Sequence, residues 1–198
     1  MSTLLRTVQS NRLSSDQLPT IQIEVDASFT YIGGLRFILY EVAHVEQHHF
    51  VIADAQRRVQ RLLWFQFEGF LDNNQHRYHY DINEVLTLGG YDFLHDADVH
   101  DVDQDYQVRP TSDSAHVVDF LQANGYGWSG ETCFKRLVWL DPDQRNELMI
   151  IYSEDLSSLG YRVADLTKAG SAAAHWTHLS AALHDRALKS FKILTPGT

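Results

Sequence analysis

The stretch Arg58 to Leu71, Arg-Val-Gln-Arg-Leu-Leu-Trp-Phe-Gln-Phe-Glu-Gly-Phe-Leu, limits what this chain can fold into more than any other part of it. It is rich in aromatic and branched residues and holds no proline, which predicts one long strand. Side chains alternate along a strand, so its two faces can be read separately. One carries Val59, Leu63, Phe65, Phe67 and Leu71, with Arg61 near its start. The other carries Gln60, Leu62, Trp64, Gln66, Glu68 and Phe70. The first face is ordinary core; the second mixes large rings with polar groups. A strand with something to bury on both faces lies inside a sheet covered on both sides, or in a barrel wall.

The segments around it point the same way. Ile21, Ile23, Val25, Ala27 and Phe29 alternate with polar residues, the pattern of a strand with one wet face. Gly33-Gly34 signals a hairpin turn, with Leu35 to Ala43 as the returning strand. Phe50 to Ala53, His76 to Asp81, Tyr91 to Val102, Thr132 to Leu140 and Glu147 to Glu154 read as further strands. Ser112 or Asp113 caps a helix running to Asn124, and a second helix is expected from about Ser171 to Leu194, stopped by Thr195-Pro196-Gly197. Residues 1–20 are polar and are expected to form a loose arm or a short helix outside the core, with residues 21–198 as a single domain.

Together these predict an α+β protein. A mainly antiparallel sheet is curled into a half-barrel or barrel, with one inserted helix and a long C-terminal helix packed on it. The sequence also hints at an internal duplication. Residues 31–37 resemble residues 87–93, and Arg61-Leu62-Leu63-Trp64 resembles Arg136-Leu137-Val138-Trp139. The inserted helix accounts for the extra length of the second half.

Length and charge bound the function. With 198 residues the chain can bury a full core. A formal net charge of −10 argues against nucleic acid or an anionic membrane as partner, and no apolar run approaches a membrane span. The single cysteine, Cys133, rules out an intramolecular disulfide, and the N-terminus lacks the apolar run of a signal peptide. The expected location is therefore the cytoplasm.

For chemistry, the composition favours the polar face of the central strand. Trp64, Gln66, Glu68 and Phe70, with Arg136 from a neighbouring strand, make an aromatic pocket with polar anchors, the usual make-up of a small-molecule site. The leading expectation is a small-molecule-binding domain with that cavity. The alternatives are an enzyme using Glu68 or a His/Asp cluster, with or without metal, and a structural or adaptor protein whose interior is simply filled. A salt bridge from Glu68 to an arginine is the rival to a ligand at that position.

Three clusters carry metal-ligating residue types. The run from His95 to Asp105 alternates oxygen and imidazole groups, but from Asp101 the calcium-loop positions fall on Tyr106 and Ser112, and a charged strand edge accounts for it. His44, Glu46 and His48 share one side of an extended segment, and His175, His178 and Asp185 share a helix stripe, without the zinc-protease order. Cys133 reads as a buried, inert thiol. No phosphate loop, dinucleotide fingerprint or nucleophile elbow occurs, and the sequence leaves any cofactor unknown.

Overall fold

The computed structural model describes residues 3–194. Among these residues, eleven strands form two antiparallel sheets: β1 (Thr7–Gln9), β2 (Arg12–Ser15), β3 (Ile21–Val25), β4 (Thr30–Leu39), β5 (Ala43–Ala53), β6 (Val59–Phe70), β7 (Val85–Leu88), β8 (Tyr91–Asp101), β9 (Glu131–Leu140), β10 (Asn146–Asp155) and β11 (Phe191–Leu194). The helices are α1 (Val102–Val108), α2 (Asp113–Ala123), α3 (Val163–Leu166) and α4 (Trp176–Ser190), with short 3-10 turns at Leu156–Leu159 and Ala173–His175. The large sheet has the order β4-β5-β6-β10-β9-β8-β7 and the small one β1-β2-β3-β11. The fold is α+β as expected. The large sheet stays open, with β4 and β7 at its edges, and does not close into a barrel.

The central strand behaves as its sequence requires. β6 pairs with β5 on one side and β10 on the other, and Phe65 and Phe67 are buried. Both faces are covered. Leu63, Phe65 and Phe67 pack against the small sheet through Leu13, Ile23, Val25 and Phe191, and the same core continues to Leu183 and Ala187 of α4. Leu62 and Trp64 pack against Val117, Val118 and Leu121 of α2 and Val102 of α1. Val59 is the exception to the expected alternation. A bulge leaves Gln60 without a register partner between Val59 and Arg61, so Val59 joins Leu62 and Trp64 instead of Phe65.

Several expectations are corrected. Gly33 and Gly34 lie within β4 at a register shift. The chain reverses at Tyr40 and Glu41, both at positive φ, with the Val42 N–H donating to the Leu39 carbonyl. The glycine at 34 answers a close approach, because a Cβ there would meet the Gln47 carbonyl oxygen at 2.5 Å. The N-terminal segment is neither an arm nor a helix outside the core. It forms β1 and β2, and Leu13 is fully buried. Its strands are too short for periodicity to reveal. The C-terminal helix ends at Ser190, and Phe191 to Leu194 pair with β3 as a strand. The expected stop at Thr195-Pro196-Gly197 lies outside the described residues.

The duplication does not hold in the proposed alignment. Two three-strand meanders, β4-β5-β6 and β8-β9-β10, meet at the β6–β10 ladder. Trp64 sits on the last strand of the first meander and Trp139 on the middle strand of the second. Gly33 is in mid-strand, whereas Gly89 is in the β7–β8 turn.

Residues 76–81, expected as a strand, cross the sheet as an extended, unpaired strap. Arg145 anchors the chain leading into it, donating to the carbonyls of Asn74 (2.7 Å) and Leu71 (3.0 Å). The Tyr78 N–H donates to the Gln144 carbonyl at 2.8 Å. Among the described residues, no helix is long and apolar enough to cross a membrane.

Candidate functional site

Two places gather chemistry-bearing side chains, one on each face of the large sheet. The first is the polar face of β6. Alternation puts Gln66 and Glu68 on the α2 side, where apolar packing by Leu62 and Trp64 gives way to hydrogen bonding. Gln66 is fully buried. Its Oε1 accepts from Gln47 Nε2 on β5 at 2.7 Å, and its Nε2 donates to Glu68 Oε2 at 2.8 Å and Asp113 Oδ2 at 3.3 Å. The strap closes this face. The Tyr78 hydroxyl donates to Glu68 Oε1 at 2.9 Å, the Tyr80 hydroxyl donates to Glu147 Oε2 at 2.6 Å, and the Tyr78 ring stacks on Phe70 at 4.3 Å.

The expected anchors therefore share one face. Arg136 belongs to it as well, with its guanidinium 5.5 Å from the centre of the Tyr80 ring while it pairs with Asp96. Glu68 is held by Tyr78 and Gln66, not by an arginine. Two openings touch these residues: a cavity of about 170 Å3 borders Glu68 and Phe70, and a slot of about 10 Å3 borders Trp64. Ligand pockets usually hold roughly 300–1,000 Å3.

Electrostatically this face holds a carboxyl pair. Glu68 and Glu147 are register partners on β6 and β10. Burial pushes Glu68 up to about 7, with Asp113 adding to the rise and the hydrogen bonds from Tyr78 and Gln66 opposing it. Burial pushes Glu147 up to about 8, with the charge of Glu68 adding to the rise. Two carboxyl groups this close, out of water, favour protonation of at least one.

The second place is a cleft of about 650 Å3 on the opposite face, between β8, β9 and α4. Lys135 and His95 form its floor, His184 and Trp176 its helix wall, and Asp81 and Glu84 its rim. Lys135 follows the inward alternation of β9 with Cys133 and Leu137, and is only 4% exposed. Its Nζ lies 2.6 Å from His95 Nδ1, and the His95 and His184 rings are 5.6 Å apart. Desolvation lowers the pKa of the ammonium, and the acids Glu84 and Asp96 partly offset this. Desolvation and then the charge of Lys135 lower both histidines. This floor thus favours neutral bases over cations.

In the remaining candidate clusters, Glu46, His48, Asp101 and His175 are engaged within the fold, and His44, His178 and Asp185 are exposed. Glu46 accepts from the backbone N–H groups of Leu5 and Arg6, and its carboxylate meets His48, whose other ring nitrogen meets Tyr31. The run His95 to Asp105 divides between β8 and α1, which Asp101 caps. His175 meets the Tyr161 hydroxyl at 3.0 Å. Among the described residues no group of three or more His, Cys, Asp or Glu has the geometry to hold a metal ion. Cys133 is buried, and burial pushes its thiol up to about 12, so it does not act as a nucleophile near neutral pH.

Sequence reasoning weighed His95 only as part of a metal-ligating run and assigned no site role to Lys135, His184 or Glu147. Two signals pointed to Lys135 and His184. Lys135 interrupts an inward alternation of apolar residues, and Trp176, Ser180 and His184 recur at four-residue spacing on one helix stripe. Comparison of the chain with protein-family models, with curated proteins and with solved structures returns no match.

Proposed function

We propose that the chain is a small-molecule-binding protein and that its ligand lodges in the cleft between β8, β9 and α4. One observation carries this reading: a buried lysine, with its amine against a histidine, borders a cleft of about 650 Å3. Burying an amine without a carboxylate partner opposes folding, so stability gives no reason for Lys135 to stand there. A ligand that uses the amine does. Trp176 supplies an apolar wall, and the volume lies within the usual range for a small-molecule site.

The test is a fragment screen read by NMR on the indole N–H groups, with Trp176 assigned through Trp176→Phe. Binding in the cleft shifts Trp176 and leaves Trp64 unmoved. Fragments that shift Trp64 and not Trp176 overturn the assignment to this cleft.

The carboxyl pair supports a second reading, an enzyme that uses Glu68 and Glu147 as acid and base. Paired groups that keep a proton near neutral pH suit that task. The Trp64, Gln66, Glu68, Phe70 and Arg136 face would then be the substrate site, reached by displacement of the Tyr78–Tyr80 strap. A fragment that shifts Trp64 and broadens the Tyr78 and Tyr80 signals favours this reading over the first.

A further inference from the structure

The floor of the cleft has the parts of an imine-forming site. Lys135 Nζ meets His95 Nδ1 at 2.6 Å, and among the described residues no carboxylate lies within salt-bridge distance of it. Of the two acids that act on it, Asp96 is paired with Arg136, and Glu84 reaches His95 Nδ1 at 3.5 Å with its side chain 78% exposed. Where burial outweighs the pull of such distant acids, an amine is held toward its neutral, nucleophilic form. His184 stands on the opposite wall of the same cleft, within one ring's reach of His95.

We infer that Lys135 forms an imine with a neutral aldehyde or ketone that carries an aromatic body. This rests on the cleft being the ligand site. The Nζ lone pair adds to the carbonyl carbon as the C=O π pair moves to oxygen. His95 takes the proton that nitrogen releases, and the oxygen gains one, giving a carbinolamine. The C–O bond then breaks, the hydroxyl leaves as water with a proton supplied from the His95–His184 side, and nitrogen closes the C=N bond as it gives up its remaining proton. The balance is amine plus carbonyl to imine plus water, with no redox partner. The ligand class follows from the walls. Trp176 favours an aromatic body, and the carboxylates of Asp81 and Glu84 at the rim disfavour an anion.

Benzaldehyde with cyanoborohydride tests this on the full chain at pH 7, because reduction fixes any imine as a benzyl-lysine. Peptide mapping compares Lys135 with the exposed Lys168, Lys189 and Lys192, which serve as internal standards. A lowered pKa raises the neutral-amine fraction at pH 7, so Lys135 is expected to label several-fold faster than the three standards. Benzyl alcohol, which fills the same space and forms no imine, should shift the Trp176 indole signal and slow labelling at Lys135. The Lys135→Met variant should keep the benzyl alcohol shift and lose the fast label. If benzyl alcohol shifts Trp176 while Lys135 labels no faster than the three standards, the cleft binds but the imine is overturned. If neither probe shifts Trp176 and Lys135 stays unlabelled, the cleft reading itself fails. Fast labelling that benzyl alcohol does not slow overturns the aromatic ligand class.

Discussion

Glu68 and Glu147 stand opposite each other across the β6–β10 ladder, and a different tyrosine of one strap closes each carboxyl: Tyr78 on Glu68, Tyr80 on Glu147. The strap thus replaces water over a pair of acids that would otherwise repel. Its two hydroxyls are donors and suit either protonation state of the pair, while burial disfavours the charged one.

The pair makes stability depend on pH in a defined direction. Both groups rise above the ordinary 4.5, to about 7 and about 8, so the folded chain holds protons that the unfolded chain releases. Their contribution is full below about pH 4.5 and is lost as pH rises through about 7 to 8. Glu147→Gln keeps an acceptor for Tyr80 and removes the titration. Urea unfolding at pH 5 and pH 8.5 should show a smaller loss in the variant than in the parent, by about 2–3 kcal/mol. Equal losses in the two proteins would reject the assignment.

Tyr78→Phe removes the donor that opposes the rise at Glu68. The Glu68 carboxyl should then titrate higher than in the parent, read by carbon-detected NMR. The fold should lose about 1 kcal/mol at pH 8, where the carboxylate needs that hydrogen bond most. A downward movement of the Glu68 titration would contradict the strap geometry.

Phe65 is fully buried at the centre of β6, 5.7 Å from the Phe50 ring and 6.2 Å from the Phe191 ring. Phe65→Ala should cost about 3–5 kcal/mol in chemical denaturation, since Phe50 and Phe191 stand on paired strands that cannot close the gap. A cost below about 1 kcal/mol would mean that β6 is not the packed centre of the fold.

Arg186 fastens α4, and so the wall of the cleft, to β10. Its Nε and Nη2 donate to the two oxygens of Glu154 at 2.7 Å each, and Glu154 is only 4% exposed. Arg186→Met leaves that carboxylate with Tyr152 and with Arg61 at 3.7 Å. A cost of about 3 kcal/mol is expected, by thermal or chemical melt, with faster hydrogen exchange in α4 than elsewhere. Uniform exchange across the chain would show that the pair does not localise α4.

Local alternation determined a good part of this molecule. The residues from Arg58 to Leu71 were enough to place β6 in a covered sheet or a barrel wall, because period two sorts side chains before any partner is known, and the open strand order settles on the sheet. Ser112 and Asp113 were the two local candidates for the start of α2, and Ser112 is the cap, its hydroxyl accepting from the Ala115 N–H. Gly33-Gly34 misled because a glycine pair serves equally for a tight turn and for a close backbone approach, and only the neighbour decides which.

What the tertiary structure alone decided is who meets the polar groups. The sequence of β6 shows that Gln66 and Glu68 must be satisfied, and nothing in it points to Tyr78 on an unpaired strap, Asp113 at a helix start or Glu147 on β10. The cleft is of the same kind. Lys135, His95 and His184 stand on β9, β8 and α4, and their approach depends on strand order and on where α4 docks. Hydrophobic periodicity is written locally because each side chain responds to water on its own. Hydrogen bonds and shifted pKa values arise between side chains, and folding creates those neighbours.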